Sequence, residues 1–250
     1  MSGHSKWASI KHKKGAADAK RGAAFTKIIR EITAAAKAGG GDPNKNPRLR
    51  SAMARAKFIN MPANNVDNAI KKGTGELPGV VYEEVVFDAY GPGGVALLVE
   101  GLTDNKNRTT SELRNILSKK NGSLAGAGST AWMFSSKGFI TVEKSKTSED
   151  ALMEIALEAG AEDIKSEDPQ YFEILCEPAN LEPVKDALTK KNIPINTAEI
   201  TKLASSYVKL QGQDAKNLLA LMEAIEDHED IQAVHANFDI SDEDLEQAAG

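Results

Sequence analysis

GFITVEK (138–144), SEDALMEIALEAGA (148–161), DIKSED (163–168), YFEILCEP (171–178), LEPVKDALTKKN (181–192) and NTAEITKLA (196–204) follow one another along the chain. They read as strand, helix, strand, strand, helix, strand. That order is the split motif of a ferredoxin-like α/β sandwich. The fold of the rest follows from what this block interrupts.

Upstream, YEEVVFDAYGPGGVALLVEGLTD (82–104) alternates with period two on both sides of a Gly-Pro-Gly-Gly turn and predicts a hairpin. NRTTSELRNILSKKNG (107–122) predicts a helix, with Thr109 and Glu112 spaced as a capping box and Gly122 as its stop. GSTAWMF (128–134) reads as a further strand, with Trp132 and Phe134 on one face. Downstream, SYVKLQ (206–211), DAKNLLALMEAIEDHE (214–229) and AVHANFDI (233–240) supply strand, helix and strand. The economical solution is an α+β chain with one ferredoxin-like domain, 80–134 plus 206–241, carrying a second at 135–205. SDEDLEQAAG (241–250) gives an acidic tail, 242–250.

Residues 1–79 differ from all of this. The 250-residue chain has net charge −5, yet residues 1–72 hold sixteen Lys and Arg against four Asp and Glu, a net +12. The remainder therefore carries −17. Such asymmetry points to nucleic acid or another anionic surface. In AAFTKIIREITAAAK (23–37), Phe25, Ile28, Ile29, Ile32 and Ala36 form one apolar stripe at helical spacing. Lys20, Lys27, Arg30 and Lys37 fall on the opposite face. A second helix after AGGGDPNKNP (38–47) buries Leu49, Ala52, Met53 and Ala56, flanked by Arg48, Arg50, Arg55 and Lys57. A third, from about Pro62 to Gly73, turns Val66, Ala69 and Ile70 inward. A small, loosely packed three-helix domain with a basic exterior is expected, led by a basic arm.

The hydrophobic fraction, 41%, is that of an ordinary globular protein. No apolar run reaches the ~18 residues of a membrane span. The amino-terminal charges precede no apolar core of a secretory signal, and Ser2 excludes myristoylation. A cytoplasmic monomer is expected. Cys176, the lone cysteine, reads as an inert core thiol. GSLAGAGST (122–130) lacks the Gly-Lys-Ser/Thr ending of a phosphate loop and reads as a flexible turn. His4 and His12 lack a third ligand, and His228 and His235 sit among acids with no nucleophile in register. No metal, cofactor or catalytic triad is expected.

One polar cluster stands out, TDNKNRTT (103–110), where a strand hands over to a helix amino terminus. Asp104, Asn105, Lys106, Asn107, Arg108 and Thr109 could hold a phosphate or carboxylate beside the helix dipole. They could equally form an ordinary capped turn. As an anion pocket the cluster would admit an enzyme. Aromatics in strands read as core, so binding dominated by phosphate rather than by base stacking is expected.

GHSKWASIKHKKGAADAKRGAAFTKIIREI (3–32), AGGGDPNKNPRLRSAM (38–53), GPGGVALLVEGLTDNKNRT (91–109) and AWMFSSKG (131–138) closely resemble the YebC/PmpR family, which includes mitochondrial translational activators. The resemblance implies three domains, one helical and two α/β, the last inserted into the second. It implies a regulator of gene expression, described for the family both as DNA-binding in transcription and as acting at the ribosome. It also places nucleic acid at the Gly3–Trp7 arm and the basic helices, and a second functional spot at Asn105, Asn107 and Arg108. The nucleic-acid residues expected are Lys6, Lys11, Lys13, Lys14, Lys20, Arg21, Lys27 and Arg30, to which the resemblance adds His4, Ser5 and Trp7. Lys106 stands where arginine is common in the family, and MPANNVDNAI (61–70) lacks basic positions often found there. Duplex DNA and ribosomal RNA both remain open as the target, with RNA favoured because no helix-turn-helix or dimer-forming heptad is present.

Overall fold

The computed structural model describes residues 18–241. They form two compact units, Trp132–Tyr207 and the described chain on either side of it.

The second of these begins with three helices, α1 (Asp18–Gly39), α2 (Pro47–Phe58) and α3 (Ala63–Thr74). Asn46 joins the first two. Its Nδ2 donates to the Ala35 and Gly40 carbonyls at 2.8 and 2.9 Å, closing α1, while its Oδ1 accepts from Leu49 N at 3.1 Å, opening α2. One buried amide thus satisfies orphan groups of two helix ends. The core is Ile32, Ala35, Leu49, Ala52, Ala56 and Ala69. Its small side chains let the backbones approach. A Cβ on Gly73 would stand 2.5 Å from the Thr33 carbonyl, so α3 can cross α1 here only with glycine.

Strands β1 (Glu83–Tyr90) and β2 (Ala96–Thr103) pair antiparallel around the Pro92–Gly94 turn, and α4 (Lys106–Lys119) follows. The strand expected at GSTAWMF is absent. Instead β3 is the dipeptide Ser123–Leu124, on the far side of β1, and Ala131–Met133 is a single helical turn that leaves Trp132 73% exposed. The cause is Asp88. Its buried carboxylate accepts from Gly128 N at 2.9 Å, from Thr130 N and Oγ1 at 2.7 and 2.8 Å, and from Ala131 N at 2.8 Å. Those amides cannot also serve a strand ladder. The loop read as a flexible turn is therefore tied down, and its amides converge on an internal anion.

The unit Trp132–Tyr207 holds β4 (Phe134–Glu143), α5 (Glu149–Glu158), β5 (Ala161–Lys165), β6 (Tyr171–Cys176), α6 (Leu181–Lys190) and β7 (Thr197–Ala204). Its sheet order, β5-β6-β4-β7 with every pair antiparallel, is the ferredoxin-like one. Ile140, Val142, Leu152, Val184 and Cys176 form its core. Burial, and next the nearby carboxylates of Glu162 and Glu177, push the Cys176 thiol up, which keeps it unreactive.

The chain then returns with β8 (Val208–Leu210), α7 (Gly212–Glu226), β9 (Ile231–Ala236) and β10 (Phe238–Ile240). AVHANFDI is two strands rather than one. Asn237 breaks it: its Oδ1 accepts from Ala96 N at 2.7 Å and its carbonyl accepts from Val208 N at 2.7 Å. Beyond it β10 pairs parallel with β8, while β9 completes the sheet β3-β1-β2-β9. β1 fills the place that the third strand takes in a ferredoxin-like sheet. Helices α4 and α7 pack on this sheet through Leu113, Leu117, Leu218 and Met222.

Burial opposes ionisation of Asp88, but the hydrogen bonds from Thr130, Gly128 and Ala131 outweigh it and hold its pKa below the ordinary value. Its stabilising contribution is present above about pH 4 and is lost as the pH falls through the lowered folded value. Asp88→Ala should cost about 2–3 kcal/mol near neutral pH and lose most of that effect in acid. Urea unfolding at both pH values checks this, and amide exchange at Gly128, Thr130 and Ala131 should accelerate in the variant.

Candidate nucleic-acid interface and the Asp230 centre

Arg30 was expected to face outward from α1. It is instead buried, its side chain 10% exposed, and one guanidinium nitrogen donates to the carboxylate of Asp230. That nitrogen also lies 3.3 Å from the Leu102 carbonyl, the other reaches Glu229 at 3.3 Å, and the guanidinium stands over the Tyr82 ring at 5.4 Å. Lys27, one turn earlier, donates to the Glu226 carbonyl. Arg48 of α2 pairs with Glu31 at 2.8 Å and with Glu84. The helical wheel does not tell what covers Lys27 and Arg30. These two side chains lie against the end of β2 and the segment joining α7 to β9.

Asp230, its side chain only 2% exposed, is the centre of this arrangement. Arg108 Nη2 donates to it at 2.9 Å and the Thr109 hydroxyl at 2.6 Å. Thr103 Oγ1 stands 3.2 Å from the carboxylate and 2.8 Å from Thr109 Oγ1, and accepts from Asn105 N at 2.9 Å. The Asp230 carbonyl accepts from Leu102 N at 2.8 Å, at a register shift between β2 and β9. Gly101 makes that shift possible, since a Cβ there would sit 2.7 Å from the same carbonyl oxygen.

The TDNKNRTT cluster therefore divides. Asn105, not Thr109, caps α4, its Oδ1 accepting from Arg108 N at 3.1 Å. Thr109 lies inside the helix and points at Asp230, and Glu112 pairs with His228 Nε2 at 2.8 Å rather than with a cap. Arg108 is shared between Asp230 and Asp104, the latter at 2.7 Å. Arg108 in turn holds the Asp104 carboxyl below the ordinary range. Lys106 and Asn107 are exposed at the helix start. An open groove of about 560 Å³ runs beside this centre, lined by Arg30, Asp104, Arg108, Glu112, His228 and Glu229 among others. Its two arginines are already matched by carboxylates, so it offers an incoming anion little uncompensated positive charge.

Glu112, His228 and Asp230 lie close enough to suggest a cation site. Their facing atoms are already paired with protein groups. His228 Nδ1 accepts from Asp230 N at 3.1 Å, which leaves the proton on Nε2, directed at Glu112. The donor set does not fit a metal.

Among the described residues of the helical segment, seven basic side chains are exposed: Lys37, Lys45, Arg50, Arg55, Lys57, Lys71 and Lys72. Three of them lie on the outward face of α2. Phe58, at the end of the same face, is 83% exposed, a feature its sequence neighbourhood did not mark. His4, Ser5, Lys6, Trp7, Lys11, Lys13 and Lys14 lie outside the described residues, as do the side chains of Lys20 and Arg21.

Residues 5–76 match the family described as TACO1/YebC protein N-terminal domain, and residues 82–238 match TACO1/YebC second and third domain. The chain is 56% identical over 247 residues to "Probable transcriptional regulatory protein GSU1074" of Geobacter sulfurreducens, covering 99% of each. It is 53% identical over 248 residues to a "Probable transcriptional regulatory protein" of Endomicrobium trichonymphae, again covering 99% of each. Among solved structures it resembles the "Conserved Hypothetical Protein Aq1575" of Aquifex aeolicus, with a TM-score of 0.79 and 44% identity, covering 90% of this chain and 93% of that one. With both parts matched and this identity along its length, the chain belongs to the TACO1/YebC family.

Proposed function

We propose that this protein is a non-enzymatic regulator of gene expression that binds nucleic acid through its basic amino-terminal segment and acts as a ribosome-associated translation factor. The observation that carries this reading is the partition of charge: net +12 within residues 1–72 and −17 in the rest. Buried pairing consumes Arg30, and Arg48 is half-covered by acids, but the outward face of α2 keeps Arg50, Arg55 and Lys57 in solvent. Such a face neutralises backbone phosphate and releases counterions, and it carries no base-reading geometry of its own. The acidic remainder would disfavour indiscriminate binding to polyanions and orient the basic segment. RNA is favoured over duplex DNA because no element among the described residues has the form of a recognition helix in a helix-turn-helix.

The names of the relatives favour a second reading, a transcriptional regulator that prefers one duplex DNA sequence. An enzyme with an anion pocket at 103–110 has less support, because Arg108 is already engaged by Asp104 and Asp230.

Arg50→Ala, Arg55→Ala and Lys57→Ala combined should leave the melting temperature within a few degrees, since all three are exposed. The combination should weaken RNA binding at least tenfold at low salt. It should also reduce the slope of log K against log salt by about 2 to 3, one contact for each lost charge. An unchanged slope contradicts the reading. Wild-type binding to one DNA duplex at least a thousandfold tighter than to random duplex, with no excess for RNA, favours the transcriptional one.

A further inference from the structure

From the placement of Phe58 we infer that the outward face of α2 is a stacking platform for an unpaired base of single-stranded RNA. This deepens the proposed function and rests on it. Helix geometry sets the face. At 100° per residue Lys57, Arg50, Ala54, Phe58, Ser51 and Arg55 spread, in that order, across an arc of about 160°. All six are exposed, and the opposite side of the helix is buried through Leu49, Ala52 and Ala56. The one aromatic ring stands near the middle of a basic face, with small residues beside it and cations at both edges.

A phenylalanine 83% exposed leaves most of its ring surface in water. Ile59 and Met61, just beyond it, by contrast both pack inward on the helical core. The helix beneath the ring is held at both ends. Asn46 caps its start, and the Ile59 and Asn60 amides donate to the Arg55 and Lys57 carbonyls at its end, at 3.2 and 3.0 Å. Phe58 is thus presented on a rigid element. The cations are available as well. Arg50 spends one nitrogen on the Pro43 carbonyl at 3.1 Å, and Arg55, 59% exposed, approaches Glu31 only to 3.9 Å.

Charge and ring together select the occupant. An acidic or apolar protein surface would use one of the two, whereas a single nucleic-acid strand uses both, with phosphates on Arg50, Arg55 and Lys57 and a base face on Phe58. In a duplex the bases are already stacked on one another and cannot reach the ring. The platform therefore confers preference for loops, bulges and ends over helical RNA, a common mode of protein–RNA recognition. Ala54 and Ser51 contribute by being small.

The test uses the full chain and fluorescein-labelled RNA, a 15-nucleotide single strand and the duplex of the same sequence, with Phe58→Ala, Phe58→Leu and Phe58→Trp. Stacking on one base predicts a loss of about 5- to 100-fold in single-strand affinity for Phe58→Ala and Phe58→Leu alike. Phe58→Trp should retain or tighten binding, duplex affinity should move less than twofold, and the salt slope should stay constant. The exposed position should leave all three melting temperatures unchanged. Two results overturn the inference while sparing the proposed function: wild-type single-strand affinity in Phe58→Ala, or retention by Phe58→Leu, which would mean an apolar contact that needs no aromatic ring. If the wild-type chain binds neither RNA, the proposed function fails and the inference with it.

Discussion

Asp230 is a carboxylate withdrawn from water, and such a charge is tolerated only where it is paired and hydrogen-bonded. Its partners come from far apart in the chain: Arg30 from α1, Thr103 from the end of β2, Arg108 and Thr109 from the first turns of α4. Its own carbonyl fixes the β2–β9 register shift through Leu102. The helical segment, the sheet edge and the amino terminus of α4 are thus tied at one point. Without Arg30, one buried acid would face a single half-exposed arginine. Lys27 and Arg30 of α1 are therefore committed to holding the helical segment on the α/β body.

A second internal anion follows the same logic. Asp88 collects the amides of Gly128, Thr130 and Ala131, the kind of convergent N–H groups that elsewhere hold phosphate. At the α4 terminus the exposed arginine is shared by Asp104 and Asp230. Two places where the fold could receive an anion are filled by its own carboxylates. On the outward face of α2, by contrast, Arg50, Arg55 and Lys57 stand in solvent around an exposed ring.

Much of the fold was legible in the sequence. The period-two runs and intervening helices of 138–204 specify a βαββαβ unit because each strand must bury one face and each helix one stripe. The apolar stripe of α1 was legible for the same reason. Periodicity tells which face of a helix is charged, but not whether that face meets water or a carboxylate 200 residues away in sequence. Arg30 and Lys37 look alike on a helical wheel; one is buried and the other exposed. GSTAWMF has strand propensity, but the pull of Asp88 on three amides overrides it. Thr109 has a capping-box partner at the right spacing, yet Asn105 takes the cap because Thr109 is needed by Asp230. Phe58 left no signal, since a single aromatic at the end of an amphipathic helix reads as core.

The most direct measurement is a double-mutant cycle on Arg30→Met and Asp230→Asn, read by urea unfolding and by RNA affinity over a salt series. If Asp230 anchors the helical segment, each single change costs about 3–5 kcal/mol. The double change then costs less than their sum by at least about 1 kcal/mol. The folded Arg30→Met protein keeps the wild-type salt slope. Wild-type stability in Arg30→Met together with a salt slope lowered by about 1 would contradict this, and would make Arg30 a phosphate contact after all.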